Sequence, residues 1–297
     1  MEQRRNILKG LIGGGALWAA GCGPALARAP FQSERIVVET RGSGRDLILN
    51  PGLASTSAVW DRTIARLGAG RRVHLVSVRG FGDLPARGNA NGAVMGGIAN
   101  EVRRYITEAR LESPAIIGHS MGGQVAIRVA ADAPGRIGRL MVVDASPFFP
   151  ALISPGATVG DVEPIAQVAY QAVQFLGDEG LRERGRAIGL ELGGAADAVF
   201  GSMGWQGGDR RVLAQALYEV MTVDLRHRLP DITAPVTVVY GWSPDESSPR
   251  SRTDSLFRGA YASLPRPAVF ERIEGAEHMV MIDQPTRFLA AVDRFLD

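Results

Sequence analysis

The segment that most restricts this chain is Gly118-His119-Ser120-Met121-Gly122-Gly123, set between the wholly apolar run 115–118 and an apolar helical pattern over 124–131. A short apolar run of this kind suits a strand buried on both faces. Passing from it straight into a helix takes a turn so tight that its flanks must lack bulky side chains, and Gly118, Gly122 and Gly123 meet that need. The turn lifts the Ser120 hydroxyl clear of the sheet. It also leaves the Met121 N–H at a helix N-terminus, where unpaired donors and the helix dipole favour negative charge. The segment thus sets a nucleophile beside an anion site, and it needs a sheet with helices packed on it.

The rest of the chain supplies that sheet. Short apolar runs predict strands over 35–40, 46–50, 73–78, 115–118, 140–143, 235–240 and 268–273. Helical spacing predicts helices over 57–67, 98–109, 124–131, 251–263 and 286–296; in the first, Trp60, Ile64 and Leu67 fall at i, i+4 and i+7. Such alternation, with right-handed crossovers, gives an α/β fold with a mostly parallel central sheet flanked by helices. The alternation breaks after Ser146. Residues 147–230 carry helical patterns punctuated by Pro150, Pro155 and Gly207-Gly208, and no good strand. The core is expected at 31–146 and 231–297, with 147–230 as a helical insertion.

A serine hydroxyl needs a base to act as a nucleophile near neutral pH. The chain has four histidines. His74 lies within a strand pattern, His119 is inside the tight turn, and His227 sits between Arg226 and Arg228. His278, in the loop after the last strand, is the candidate base. A carboxylate at the end of a strand must then orient the imidazole. Asp245, in Gly241-Trp242-Ser243-Pro244-Asp245, is the first choice; Asp144, after the run 140–143, is the alternative acid, and Glu246 a third. A second oxyanion donor is expected from Asn50-Pro51-Gly52-Leu53. Pro51 has no N–H, Gly52 permits the bend, and the Leu53 N–H is the donor.

Together these residues resemble the α/β-hydrolase superfamily, in its esterase-like branch with a helical cap. The resemblance is carried by the tight turn at Ser120, Pro51-Gly52 followed by Trp60, Arg79-Gly80-Phe81-Gly82, the run Ala234 to Gly241, and His278 through Asp283-Gln284-Pro285. It covers the chain from about residue 35 to its end. It implies a cap inserted after the sixth strand and the chain order serine, acid, histidine. It also implies Ser120 as nucleophile, His278 as base, Asp245 as acid, and the backbone N–H groups of Met121 and Leu53 as the oxyanion hole. The expected reaction is hydrolysis of a small to medium, largely apolar carboxylic ester through an acyl-enzyme, with no metal or organic cofactor. Lactonase, peptidase, perhydrolase and acyltransferase chemistry use the same triad and stay open, as does a non-catalytic binding module on the same fold. Two features depart from the family pattern: Pro51-Gly52 stands where His-Gly is common, and Pro244 stands where an aspartate is often found. A serine rather than an aspartate in the turn argues against a haloalkane dehalogenase. In the insertion, Phe148, Phe149, Phe175, Phe200, Met203, Trp205, Tyr218 and Met221 are available to pack the cap or to line an apolar pocket.

Residues 1–27 read as an export signal rather than as part of the fold. Arg4-Arg5 precedes an apolar residue and Lys9, which resembles a twin-arginine motif, and a glycine-rich apolar stretch follows over 10–21. That stretch is shorter than the ~20 residues a membrane span takes, and Ala25-Leu26-Ala27 offers a small-x-small cleavage site after Ala27. The twin-arginine export machinery is the implied partner, and the periplasm or the exterior the implied location. Cys22, the sole cysteine, offers lipid anchoring as the alternative. Cleavage after Ala27 removes three basic side chains and one acidic one, leaving 30 of each. A chain so balanced is not marked for nucleic acid or for an anionic membrane. Without Cys22 it has no disulfide and no thiol chemistry.

Overall fold

The computed structural model describes residues 30–67, 70–187, 206–244 and 248–297, of which 177–187 are described by backbone alone. The proposed export segment, with Cys22, lies outside the described residues. All seven apolar runs form strands: β1 (Ile36–Gly42), β2 (Arg45–Asn50), β3 (Arg71–Val78), β4 (Ala115–His119), β5 (Arg139–Val143), β6 (Val236–Trp242) and β7 (Val269–Glu274). They make one sheet in the order β1-β3-β2-β4-β5-β6-β7. Only β1 is antiparallel, to β3; the other neighbours are parallel. Between them lie α1 (Asp61–Leu67), α2 (Met95–Glu108) and α3 (Met121–Asp132).

The strands are apolar on both faces because both faces are covered. Along β4, Ile116 faces the layer packed by α2 and α3, whereas Ala115 and Ile117 face the opposite layer, which contains Trp60. That second layer is closed by α8. After the insertion helices α4 (Val159–Ala187) and α5 (Arg210–Thr222) come α6 (Arg250–Ala260), the single turn α7 (Val280–Asp283) and α8 (Pro285–Leu296). Helix α8 buries Phe288, Ala291, Val292, Phe295 and Leu296, an i, i+3, i+4, i+7, i+8 stripe that matches the helical period.

The insertion leaves the sheet after β5 and rejoins it at β6. Five described strands precede it, so in this chain it follows the fifth strand, where the resemblance placed it after a sixth. Its helices α4 and α5 pack on each other; α4 buries Ala166 and Val173, α5 buries Val212, Leu213 and Ala216, and Tyr170 and Tyr218 meet edge to face at 6.2 Å. The insertion is tied to the core by a carboxylate. Helix α2 begins at Val94 without a side-chain cap of its own. Glu219, on α5 and only 6 % exposed, accepts the N–H groups of Val94 at 2.8 Å and Met95 at 2.7 Å. Gln215, one turn earlier, donates to the same carboxylate at 2.7 Å. A negative group on the orphan donors of a helix N-terminus is favoured by both hydrogen bonding and the dipole.

A second buried polar node lies near the start of β2. His74, 2 % exposed on β3, meets Asp46 through Nε2 at 2.9 Å and the Tyr105 hydroxyl on α2 through Nδ1 at 2.7 Å. Thr40 on β1 stands 3.3 Å from Nδ1, and Arg72 donates to Asp46 through Nε at 2.6 Å and a terminal nitrogen at 3.0 Å. His74 therefore joins β1, β2 and α2. Burial lowers its pKa below the usual 6.5, against the pull of Asp46.

Two outcomes follow. Glu219→Ala should lower the free energy of unfolding by about 1–3 kcal/mol, since it strips two buried helix-terminal donors of their acceptor; urea denaturation reads this, and an unchanged midpoint refutes the latch. His74 is favoured neutral in the folded chain, so the unfolded chain binds more protons below pH 6.5, and its contribution is whole above that value and lost as pH falls through it. Urea midpoints should decline from about pH 7.5 to about pH 5, and His74→Gln, which cannot take the proton, should flatten the decline. An identical slope in the variant would refute the assignment.

Candidate active site

Ser120 joins β4 to α3 with φ 52 and ψ −123, a left-handed backbone that a serine adopts only when its surroundings impose it. The restraints are close at hand. Ser120 N–H donates to the Val143 carbonyl on β5 at 2.9 Å, and the Ser120 carbonyl accepts the N–H groups of Gly123 at 2.8 Å and Gln124 at 3.2 Å. The flanks have no spare volume: a Cβ on Gly118 would lie 2.3 Å from the Gly122 carbonyl oxygen, and one on Gly122 would lie 2.4 Å from that of Pro51. The expected strand-turn-helix is thus present, with Ser120 half-buried at the C-terminal end of β4.

The loop expected to carry the second oxyanion donor, at Gly52-Leu53, lies against this turn. A Cβ on Gly52 would stand 2.8 Å from Nδ1 of His119 and 3.2 Å from Cβ of Ser120, so only glycine lets the loop come this near. Leu53 and Met121 are both buried, and Met121 opens α3, whose first N–H groups point out of the helix. Ala54, next to Leu53, is itself left-handed at φ 53. Its carbonyl accepts the Gln206 N–H at 2.8 Å, and the Thr56 hydroxyl donates to the Gln206 side chain at 2.7 Å. The insertion therefore touches the loop at Leu53 and Ala54 directly. A few residues on, the N–H of Asp209 donates to the Gly80 carbonyl and that of Gly82 to the Gly207 carbonyl, which fastens the Arg79-Gly80-Phe81-Gly82 loop to the same segment.

His278 sits in the loop between β7 and α7. The loop is held by the Gly275 N–H on the Trp242 carbonyl at 2.8 Å and by the Asp283 carboxylate on the Glu277 N–H at 2.9 Å. The carboxylate paired with His278 is Asp144. Its Oδ2 lies 2.7 Å from Nδ1, its Oδ1 accepts the Gly241 N–H at 3.1 Å, and both side chains are about one-fifth exposed. Asp245, first choice in the sequence, lies outside the described residues, as does Glu246; the alternative, Asp144, holds the Nδ1 position. The reason lies in the backbone. Asp144 is left-handed at φ 44, which turns its side chain across the end of β6 towards the His278 loop, and its N–H pairs with the Val239 carbonyl on β6 at 2.8 Å. A carboxylate at the end of β5 can reach His278 because β5, β6 and β7 are consecutive in the sheet.

His119, inside the tight turn, faces His278: the two rings are 4.7 Å apart, and Nε2 of His119 donates to the His278 carbonyl at 2.9 Å. Its burial is complete and pushes its pKa down to about 3, with His278 acting the same way. His227 is exposed, as its arginine neighbours suggested.

The apolar side chains of the insertion divide. Phe148 is fully buried beneath the Arg226 guanidinium at 4.6 Å, whereas Phe149 is 38 % and Phe175 77 % exposed. Phe200, Met203 and Trp205 lie outside the described residues. Among the described residues, no group of three or more His, Cys, Asp or Glu side chains is placed to hold a metal ion, and no helix is long and apolar enough to cross a membrane.

Comparison with known proteins agrees with this fold. The model of the alpha/beta hydrolase family matches residues 47–292. A pimeloyl-(acyl-carrier protein) methyl ester esterase from Aeromonas hydrophila is 28 % identical over 88 % of this chain and 99 % of its own. One from Pectobacterium atrosepticum is 30 % identical over 68 % of this chain and 78 % of its own. Among solved structures, an esterase from Exiguobacterium antarcticum superposes with a TM-score of 0.66 at 20 % identity, covering 88 % of this chain and 95 % of that one. An enol-lactonase from Burkholderia xenovorans gives 0.63 at 17 % identity, covering 88 % and 96 %.

Proposed function

The chain belongs to the alpha/beta hydrolase family and is a hydrolase, and from that premise we propose that it cleaves small to medium, largely apolar carboxylic esters with Ser120, His278 and Asp144 as its triad. The observation that carries the reading is the 2.7 Å pairing of His278 Nδ1 with Asp144 in a loop packed against the strained serine turn. Asp144 accepts from Nδ1–H and so leaves Nε2 of His278 as the free base. Ser120 Oγ attacks the ester carbonyl as Nε2 takes its proton. The N–H groups of Met121 and Leu53 receive the oxyanion, and removing one such donor typically costs about 10²–10³-fold in turnover. The imidazolium then protonates the leaving alcohol; in the second half-reaction the neutral imidazole takes a proton from water as the water oxygen attacks the acyl carbon, and returns it to Ser120 Oγ as the acyl–Oγ bond breaks and the acid leaves. Asp144 stabilises the imidazolium throughout and keeps its own charge.

The substrate size rests on the insertion. Gln206 and Asp209 bring it down onto the loops at Ala54 and Gly80, and that contact is read as a limit on the size of the acyl site. The curated relatives are named for a methyl ester, a small leaving alcohol that such a site accommodates.

Ser120→Ala is expected to cut hydrolysis of p-nitrophenyl butyrate by at least about 10⁴-fold with an unchanged circular-dichroism spectrum; turnover at the wild-type level rejects the nucleophile. Asp144→Asn should cost about 10³–10⁴-fold, and Asp245→Asn should leave turnover as it is. The reverse result moves the acid to Asp245. A panel of methyl to hexyl esters and simple lactones sets the acyl length and separates ester from lactone hydrolysis.

The paired arginines at Arg4-Arg5 and the apolar stretch that follows support export by the twin-arginine route. Replacing both by lysine should shift the protein from the periplasmic to the cytoplasmic fraction, and an unchanged distribution refutes the route.

A further inference from the structure

His119 is wholly buried between two loops that must keep a fixed spacing. Its Nε2 donates to the main-chain carbonyl of His278 at 2.9 Å. That bond demands the Nε2–H tautomer and leaves a lone pair on Nδ1. Nδ1 has no hydrogen-bond partner among the described residues and faces Gly52, whose Cβ position is 2.8 Å away. One rigid ring therefore precedes the nucleophile in the turn, holds the base loop through a hydrogen bond and backs the oxyanion loop by contact. A buried polar atom left without a partner costs stability, so a core that needed only bulk at this position would be better served by an apolar ring.

Building on the esterase reading, we infer that His119 is a positioning residue, a neutral strut that sets the distance between the oxyanion loop and His278. It touches no reacting atom. It acts through the His278 main chain, which carries the imidazole that Asp144 orients. Its neutrality matters as well. The two rings are 4.7 Å apart, so a charge on His119 would oppose the imidazolium that His278 must become. Complete burial keeps His119 uncharged, with its pKa pushed down to about 3.

The test compares His119→Phe, His119→Gln and His119→Asn with the wild type. Phenylalanine keeps the ring and loses the donor. Glutamine places an amide N–H near the imidazole Nε2, and asparagine stops short of it. Steady-state hydrolysis of p-nitrophenyl butyrate should show kcat lowered about 10- to 100-fold in His119→Phe and His119→Asn, the scale expected when catalytic groups are misplaced by about 1 Å, with KM little changed. His119→Gln should recover most of that loss. The downfield proton resonance of the His278 Nδ1–H on Asp144 should persist in wild type and His119→Gln and exchange away in the other two. Should His119→Phe fail to fold, the glutamine and asparagine variants decide the matter between them. Wild-type kcat in a folded His119→Phe overturns the inference, and so does equal impairment of the glutamine and asparagine variants. Ser120→Ala is assayed alongside. If the wild type does not exceed it, the esterase reading has failed, and the His278 resonance still reports on the strut.

Discussion

Ser120 sits at φ 52 and ψ −123, a conformation that costs a serine about 1–3 kcal/mol, and the surrounding structure maintains it from three sides. Strand β5 takes its N–H, helix α3 returns two N–H groups to its carbonyl, and the Pro51 carbonyl lies where no side chain on Gly122 could fit. The same restraints fix where α3 begins, and so where the Met121 N–H points. They also fix how near the Leu53 loop comes to the hydroxyl. The proposed nucleophile and oxyanion donors thus share one cause. Loosening the turn would displace both together, which fits a catalytic site whose rate depends on pre-set geometry.

The parallel sheet distributes the other parts. Ser120 leaves the end of β4, Asp144 the end of β5, and His278 the loop after β7, all at the carboxyl edge where open α/β sheets present their sites. Two further left-handed residues, Ala54 and Asp144, lie in the loops around the site. At Ser120 and Asp144 this backbone aims the side chain away from the direction an ordinary strand end would give it. The insertion adds a second level of control. Glu219 caps α2 from a distance of more than a hundred residues, and Gln206 rests on the oxyanion loop. The insertion and the loop at Leu53 and Ala54 are accordingly joined by hydrogen bonds.

Much of this was legible beforehand. Strand formation follows from short apolar runs bounded by glycine and proline, and each of the seven runs pairs in the sheet. The serine turn was legible because its glycines answer a steric demand that the sequence states outright. His278 was found by its place after the last strand. The acid was not fixed in the same way. Asp245 and Asp144 both follow a strand, and nothing in either local sequence says which carboxylate reaches His278. That depends on the φ of Asp144 and on β5, β6 and β7 being neighbours. The strut at His119 was equally hidden, because its partner is a backbone carbonyl 159 residues away. Glu219 gave no signal for the same reason: its partners are main-chain N–H groups, which carry no mark in a sequence.

By itself the sequence determined the layers of the fold, the tight turn at Ser120 and the chain order of serine and histidine, since these rest on local sterics and on hydrophobic period. Only the tertiary structure decided that Asp144 faces His278, that His119 bridges two loops, and that the insertion caps α2 and bears on the oxyanion loop. Those choices turn on strand order, on single backbone angles and on contacts to main-chain atoms, which exist only once the sheet has closed.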